Sequence, residues 1–202
     1  MNKILITGFE PFNKETINPS IEAVKQLPET IGHAQIITLE LPTSYQRGAD
    51  ILIRNIETHK PDAVVCAGQA GGRSNISIER VAINICEASI ADNDDVIHKN
   101  TPSAQNAPAA YFSTLPIYDI VDALHKHDIP AAISNSAGTF VCNHVMYQAL
   151  HYIEKNHLSA LAGFIHIPYI PQQTLGKTAP SMSLSLITES LIVVIKTLIK
   201  SV

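Results

Sequence analysis

Short runs of aliphatic and β-branched residues alternate along this chain with longer segments of helical period, and that alternation admits few folds. Strands are predicted at Lys3–Gly8, Gln35–Leu41, Ala63–Ala67, Ile76–Asn84, Ala131–Asn135 and Leu161–Ile167. Between them, Asn18 can cap a helix with Pro19 at its first position, running to about Leu27. Thr43 or Ser44 can cap a second, through Ile51, Ile53 and Ile56 to about His59. Pro116 opens a third, carrying Ile117, Ile120, Val121 and Leu124. A fourth runs from about Phe140 to His157, with Val141, Val145, Met146, Ala149, Leu150 and Ile153 forming one apolar stripe. The last, Ser181–Ser201, is apolar enough to lie under other elements or in a subunit contact. Such alternation predicts an α/β fold: a three-layer sandwich with a mostly parallel twisted central sheet and helices on both faces. At 202 residues, a single domain spanning 1–202 is expected.

Two stretches break the pattern. Ala88–Ala110 is rich in Asp, Asn, Pro and Ala and has no period, and Pro168–Pro180 reads the same way. Loops of that length in a compact domain usually carry function or are disordered. The second begins just after His166, which suits a lid.

Composition removes several classes of function. With 46% hydrophobic and 16% charged residues the chain is globular, and its net charge of −4 comes without a Lys/Arg stripe. Neither nucleic acid nor an anionic membrane surface is expected as a partner. A secretory leader is not expected from the first residues, whose apolar run is short, and the apolar run Leu191–Ile195 is far too short to span a bilayer. Three cysteines at irregular spacing form neither a disulfide framework nor a Cys-x-x-Cys zinc pair. A cytoplasmic protein with reduced thiols is the expectation.

Chemistry concentrates on Cys142 and His166. Cys142 follows the small-residue turn Ser136-Ala137-Gly138-Thr139 at a helix start, where crowded backbone N–H groups and the helix dipole favour thiolate. The same donors can receive an oxyanion. Most free cysteines are simply small buried hydrophobes; Cys66, inside an apolar strand, reads that way, and Cys86 has no clear setting. His166 ends a strand, where open α/β sheets place their sites. His33, His59, His98, His125, His127 and His157 stand in polar contexts and read as solvated surface. His144 is a rival base two residues from Cys142, but i and i+2 on a helix point about 200° apart, so it should face away. Glu79, in an apolar strand pattern, needs a partner; that partner is either Arg73, Arg80 or an imidazole. The loop Gly68-Gln69-Ala70-Gly71-Gly72-Arg73 matches no phosphate-binding pattern and better suits close backbone approach to a small ligand. A metal held by Cys142, His144 and His166 would be poorly spaced, so no metal is expected.

These residues sit in a wider pattern. Thr7-Gly8-Phe9-Glu10-Pro11-Phe12, Asn18-Pro19-Ser20, the Gly68–Arg73 loop, Glu79-Arg80-Val81-Ala82-Ile83-Asn84, Tyr111-Phe112-Ser113-Thr114-Leu115-Pro116, Ser134–Asn143 and Phe164-Ile165-His166-Ile167-Pro168 occur in the order of one family. In these segments the chain resembles pyroglutamyl peptidase I (pyrrolidone-carboxylate peptidase), over nearly its whole length. The resemblance implies a thiol exopeptidase that removes N-terminal pyroglutamate from peptides or small pyroglutamyl amides through a thioester. It also implies a triad of Cys142 nucleophile, His166 base and Glu79 orienter, no cofactor, and a homo-oligomer, tetramer or dimer. By the same resemblance Phe9 and Phe12 wall the substrate pocket, and Gln69, Phe140 and Val141 match further pocket positions. Such walls suit pyroglutamate, a neutral lactam with one N–H and one carbonyl, which needs no counter-ion. The pattern departs where the family usually has an arginine thought to help at the oxyanion; Ser89 stands there, which implies weaker activity or an altered substrate preference. Asn13 stands where glycine is common. The alternatives are a cysteine amidase acting on another small cyclic or N-blocked acyl group, and a pyroglutamate-binding module that no longer turns over.

Overall fold

The structure is a computed structural model that describes residues 2–200. In chain order the elements are β1 (Lys3–Phe9), α1 (Pro19–Val24), β2 (Thr30–Ile31), β3 (Ala34–Leu41), α2 (Tyr45–His59), β4 (Ala63–Gln69), β5 (Ile76–Glu79), β6 (Val81–Ile83), β7 (Ala110–Phe112), α3 (Ile117–Lys126), β8 (Ala131–Ser134), α4 (Val141–Lys155), β9 (Leu161–Ile167) and α5 (Leu184–Leu198). One seven-stranded sheet has the order β2-β3-β1-β4-β9-β5-β8. The β1–β3, β1–β4, β4–β9 and β5–β8 pairings are parallel, while β5–β9 and the short β2–β3 contact are antiparallel.

Both sheet faces are covered, as expected for a mostly parallel sheet. Along β1 and β4, alternate residues go to opposite sides. Leu5, Val64 and Phe164 pack under Leu52 of α2 and Val145 of α4, while Ile4, Ile6, Val65 and Ile165 pack under α1, α3 and α5. The apolar α5 lies against α1 and α3, and its Ile187, Leu191, Val194, Ile195 and Leu198 are fully buried. Its hydrophobicity is therefore used within the chain; the expected end at Ser201 lies outside the described residues. No described helix is long and apolar enough to cross a membrane. The caps agree with the sequence: Asn18 accepts from Ser20 N–H with Pro19 at N1, and Ser44, not Thr43, caps α2 by accepting from Arg47 N–H.

The stretch 76–84 differs from expectation. It is not one strand, because the chain leaves the main sheet at Arg80. The Arg80 N–H donates to the Ser134 carbonyl at 2.8 Å and the Arg80 carbonyl accepts from Ser113 N–H at 2.8 Å. Its guanidinium is held by Asn135 Oδ1 at 2.7 Å and Tyr118 Oη at 3.1 Å. Beyond it, β6 pairs antiparallel with β7 in a separate two-stranded ribbon. The stretch 88–109 forms no helix or strand, and Pro168–Pro180 contains one 3-10 turn, Pro171–Thr174.

Candidate active site

The C-terminal ends of β4 and β9, the end of β5 and the first turn of α4 converge on one side of the sheet. Gly68 of β4 is paired with His166 of β9, and His166 is also paired with Ser77 of β5. Glu79 is two residues beyond Ser77, so it shares that face and sits diagonally across from the imidazole. Cys142 is the second residue of α4, preceded by a turn in which Gly138 takes a left-handed φ of 76°, a conformation glycine adopts without Cβ strain. Its sulfur comes down over Gly68: a Cβ on that residue would lie 3.0 Å from Cys142 Sγ and 2.7 Å from Phe164 Cζ. Glycine here leaves room for the thiol beside the histidine. Gly68→Ala is expected to lift the sulfur and tilt Phe164, costing about 1–3 kcal/mol by overpacking. Its kcat should fall further than that loss of stability accounts for at temperatures where the variant is folded. Urea unfolding together with steady-state rates checks both, and wild-type kcat would contradict the placement.

His166 Nδ1 and Glu79 Oε1 are 2.7 Å apart, and Arg73 Nη1 donates to the same oxygen at 2.7 Å. Arg73 also reaches the Ser136 carbonyl at 3.4 Å, spanning the mouth of the site. Arg73, not Arg80, is thus the cation on Glu79, and the imidazole is a second partner. Glu79 Oε2 is buried without a hydrogen bond. Burial pushes the Glu79 carboxyl up, but hydrogen bonding to His166, the charge interaction with that ring, and Ser134 and Arg73 more than reverse this, leaving it below the ordinary carboxylate value. Burial lowers His166 despite the carboxylate beside it. An ionised Glu79 can only accept, so the neutral ring carries its proton on Nδ1 and leaves Nε2 bare to act as a base.

The expected thiolate is not the resting form. Cys142 is half-buried as a residue, but burial of its thiol, followed by the negative charge of Glu79, pushes it up to about 12, only partly offset by Arg73. The helix start still offers free N–H donors to an oxyanion, but the proton must be taken by a base. Among the described residues no hydrogen bond joins Cys142 Sγ to the ring, and such contacts are commonly long in empty sites and tighten around substrate.

Beside the sulfur is a narrow cavity of about 20 Å³ lined by Phe9, Phe12, Asn18, Thr43, Gln69, Phe140, Val141 and Cys142. All five residues expected at the pocket by resemblance are there. Asn18 and Thr43 are additions; the sequence presents both as helix-capping residues. In this form the cavity scarcely holds one water, so a five-membered ring requires Phe12 and Phe140, whose centroids are 6.1 Å apart, to separate. Phe12 precedes a turn in which Asn13 and Lys14 have φ of 50° and 65°, which accounts for glycine being suitable at the first of them. The loop after β9 covers the pocket's edge, where Gln173 bonds Gln69 at 2.7 Å. Ser89 is exposed and, with Lys99, Thr139 and Phe140, lines an open groove on the other side of Phe140.

The other cysteines and histidines sort differently. Cys66 is fully buried, and burial pushes its thiol up to about 12. His144 faces away from Cys142, as expected, and its Nδ1 lies 3.2 Å from Cys86 Sγ and 3.1 Å from Ser103 Oγ. His98 is half-buried rather than fully solvated, its ring centroid 4.6 Å from that of Tyr45 in an edge-on contact, and His59 is half-buried too. Burial lowers His144 from the ordinary 6.5 to about 4, with a smaller contribution in the same direction from His98. Between those values the unfolded chain takes up a proton that the native site refuses, so stability is present above pH 6.5 and falls as pH drops towards 4. The loss from this group is on the order of 3 kcal/mol. Urea titrations of wild type and His144→Phe should give a stability difference that shrinks across this window; a constant difference would contradict it. No group of three or more His, Cys, Asp or Glu among the described residues is arranged to hold a metal ion.

The chain is similar to known proteins over nearly its whole length. A sequence profile described as pyroglutamyl peptidase matches residues 2–201. The chain is 52% identical over 190 residues to the pyrrolidone-carboxylate peptidase of Bacillus licheniformis, covering 94% of this chain and 88% of that one. It is 47% identical over 200 residues to the protein of the same name from Enterococcus faecalis, covering 98% and 94%. The crystal structure of pyroglutamyl peptidase I from Bacillus amyloliquefaciens superposes with a TM-score of 0.95 at 48% identity, covering 97% of this chain and 94% of that chain. A mutant pyrrolidone carboxyl peptidase from Pyrococcus furiosus superposes with a TM-score of 0.96 at 42% identity, covering 98% and 99%.

Proposed function

Because the chain belongs to the pyroglutamyl peptidase family, we propose that it is a cysteine omega peptidase that hydrolyses the amide bond following an N-terminal pyroglutamyl residue. The observation that carries this reading is the convergence of a buried Glu79–His166 pair and the Cys142 thiol beside an apolar pocket that contains no charged side chain. An aminopeptidase must neutralise a substrate ammonium; this pocket has nothing to do so and suits a blocked, neutral ring.

The chemistry follows from the groups present. His166 Nε2 removes the thiol proton as Sγ attacks the pyroglutamyl carbonyl carbon, and the oxygen's developing charge is received by backbone N–H groups at the start of α4. Glu79 stabilises the resulting imidazolium through Nδ1 and keeps the ring in the productive tautomer. The imidazolium gives its proton to the leaving amine as the C–N bond breaks, leaving a thioester on Cys142. Water, deprotonated by the same ring, then releases pyroglutamate and restores the thiol. With Ser89 where the family resemblance implies an arginine, the oxyanion relies on backbone donors and the nearby charge of Arg73.

The protein acts as a single catalytic domain on pyroglutamyl peptides and small pyroglutamyl amides. Three free cysteines support a reducing compartment, hence the cytoplasm. A dimer or tetramer is what the family resemblance implies for its assembly. The test of the activity is cleavage of a fluorogenic pyroglutamyl amide measured against alanyl and glutamyl amides: release from the first alone is expected. Equal cleavage of all three, or of the free-amine substrates only, overturns the reading. Tight pyroglutamate binding with no cleavage would instead favour a binding module.

A further inference from the structure

Three polar side chains line the pocket, and two have their groups engaged. Asn18 Oδ1 accepts from Ser20 N–H and Ser20 Oγ at 3.1 and 2.8 Å, while its Nδ2 donates to the Glu10 carbonyl at 3.1 Å. Thr43 Oγ1 donates to that same carbonyl at 3.0 Å. The third, Gln69, is held from behind by Gln173, which is buried in the 3-10 turn after β9. Gln173 cannot be turned round. Its Oε1 accepts from the Ile170 N–H at 3.2 Å, and an amide nitrogen there would set donor against donor. Its Nε2 therefore faces two acceptors, the Ile17 carbonyl at 3.3 Å and Gln69 Oε1 at 2.7 Å. With its oxygen taken, Gln69 has its Nε2 as the uncommitted end, with no hydrogen bond to the protein among the described residues.

We propose that Gln173 is a positioning residue that sets the polarity of the substrate pocket: by claiming the oxygen of Gln69 it makes that residue present an N–H donor to the ring. This rests on the pyroglutamyl reading and deepens it. Pyroglutamate differs from proline in carrying a ring carbonyl, an acceptor that such a donor recognises and a prolyl ring cannot supply. A chain of fixed orientations thus runs from a backbone N–H in the lid, through two amides, to the substrate feature that distinguishes a lactam from a pyrrolidine.

The informative variant is Gln173→Glu. An ionised carboxylate still accepts from Ile170 but has only oxygen to offer Gln69, whose amide then turns its nitrogen towards residue 173 and its oxygen into the pocket. The expected result is KM for a pyroglutamyl amide raised ~10- to 100-fold with kcat changed less than about three-fold, the penalty of opposing two acceptors in a desolvated site. Protonation of the new carboxyl restores a donor to Gln69, so the KM of this variant should recover towards wild type as pH falls, a trend that simple loss of packing does not produce. Gln173→Met, which leaves Gln69 free to turn either way, should raise KM by a smaller factor with no such pH trend, and it serves should the glutamate variant fail to fold. KM within two-fold of wild type in the folded variants, or a loss confined to kcat, overturns the inference while the wild-type activity leaves the reading intact. A wild-type protein that leaves pyroglutamyl amides uncut removes the reading and this inference together.

Discussion

Replacing Cys142 with serine is expected to reduce turnover of a pyroglutamyl amide by about 10,000-fold or more, while the protein folds and binds pyroglutamate as before. The size follows from the thiol's surroundings. It is enclosed against Gly68 and Phe164 and pushed up to about 12, so it reacts only by handing its proton to His166 during attack. A serine hydroxyl is less acidic and its oxygen is held by a shorter bond, so the smaller atom stands back from the carbonyl carbon while the base is no stronger. Loss of a nucleophile in a coupled triad is of this order, because the remaining members have nothing to activate. The change is nearly isosteric, so unfolding and pyroglutamate affinity should remain close to wild type. Initial rates with an unfolding curve check it; a rate within ten-fold of wild type would mean that another group attacks.

Glu79→Gln should have the second largest effect, lowering kcat by roughly 1,000- to 10,000-fold with little change in KM. The carboxylate is buried between the His166 ring and Arg73 and is not among the residues lining the substrate cavity. An amide in its place can turn its N–H towards Nδ1, which moves the ring proton to Nε2, the position that must be bare to receive the thiol proton. It also leaves the imidazolium formed in the reaction without a counter-charge in a dry site. Because the ring already sits below its ordinary value through burial, the variant's imidazole is a weaker base still. Steady-state kinetics separates the outcomes: a raised KM with unchanged kcat would show that Glu79 serves the pocket instead. The same change tests Arg73, whose ion pair with Glu79 disappears in the variant without disturbing the cavity walls.

Much of this architecture is legible in the sequence. Period and punctuation place the helices and the central strands because those signals are local: Pro19 at the first position of α1 (which ends at Val24, short of the expected Leu27), the apolar stripe of α4, the unbroken aliphatic run of β4. Cys142 stood out for the same reason, being framed by its own neighbours. What could not be read depends on partners remote in sequence. The antiparallel meeting of β5 and β9 sets Glu79 against His166, and nothing within Ile76–Glu79 indicates which strand will lie beside it. The turn at Arg80 was hidden because Val81–Ile83 continues the strand pattern, while the bonds that bend the chain come from Ser134, Asn135 and Ser113. The helix start points to a thiolate, but burial of that thiol and the charge of Glu79, both set by residues remote in sequence, push it up to about 12. His144 could be turned away from Cys142 by helical geometry, yet its contact with Cys86 is tertiary. Asn18 and Thr43 were visible as capping residues and not as pocket lining, since each does both.

The central claim is that one of three thiols forms a covalent bond to the pyroglutamyl carbonyl carbon with His166 as its base. Treatment with a pyroglutamyl chloromethyl ketone, followed by peptide mapping, tests it directly, because the reagent occupies the ring pocket and alkylates the sulfur within reach. The account predicts one label, on the peptide containing Cys142, slowed by free pyroglutamate and formed far more slowly in Glu79→Gln. A label on Cys66 or Cys86, or one that free pyroglutamate does not slow, would contradict it.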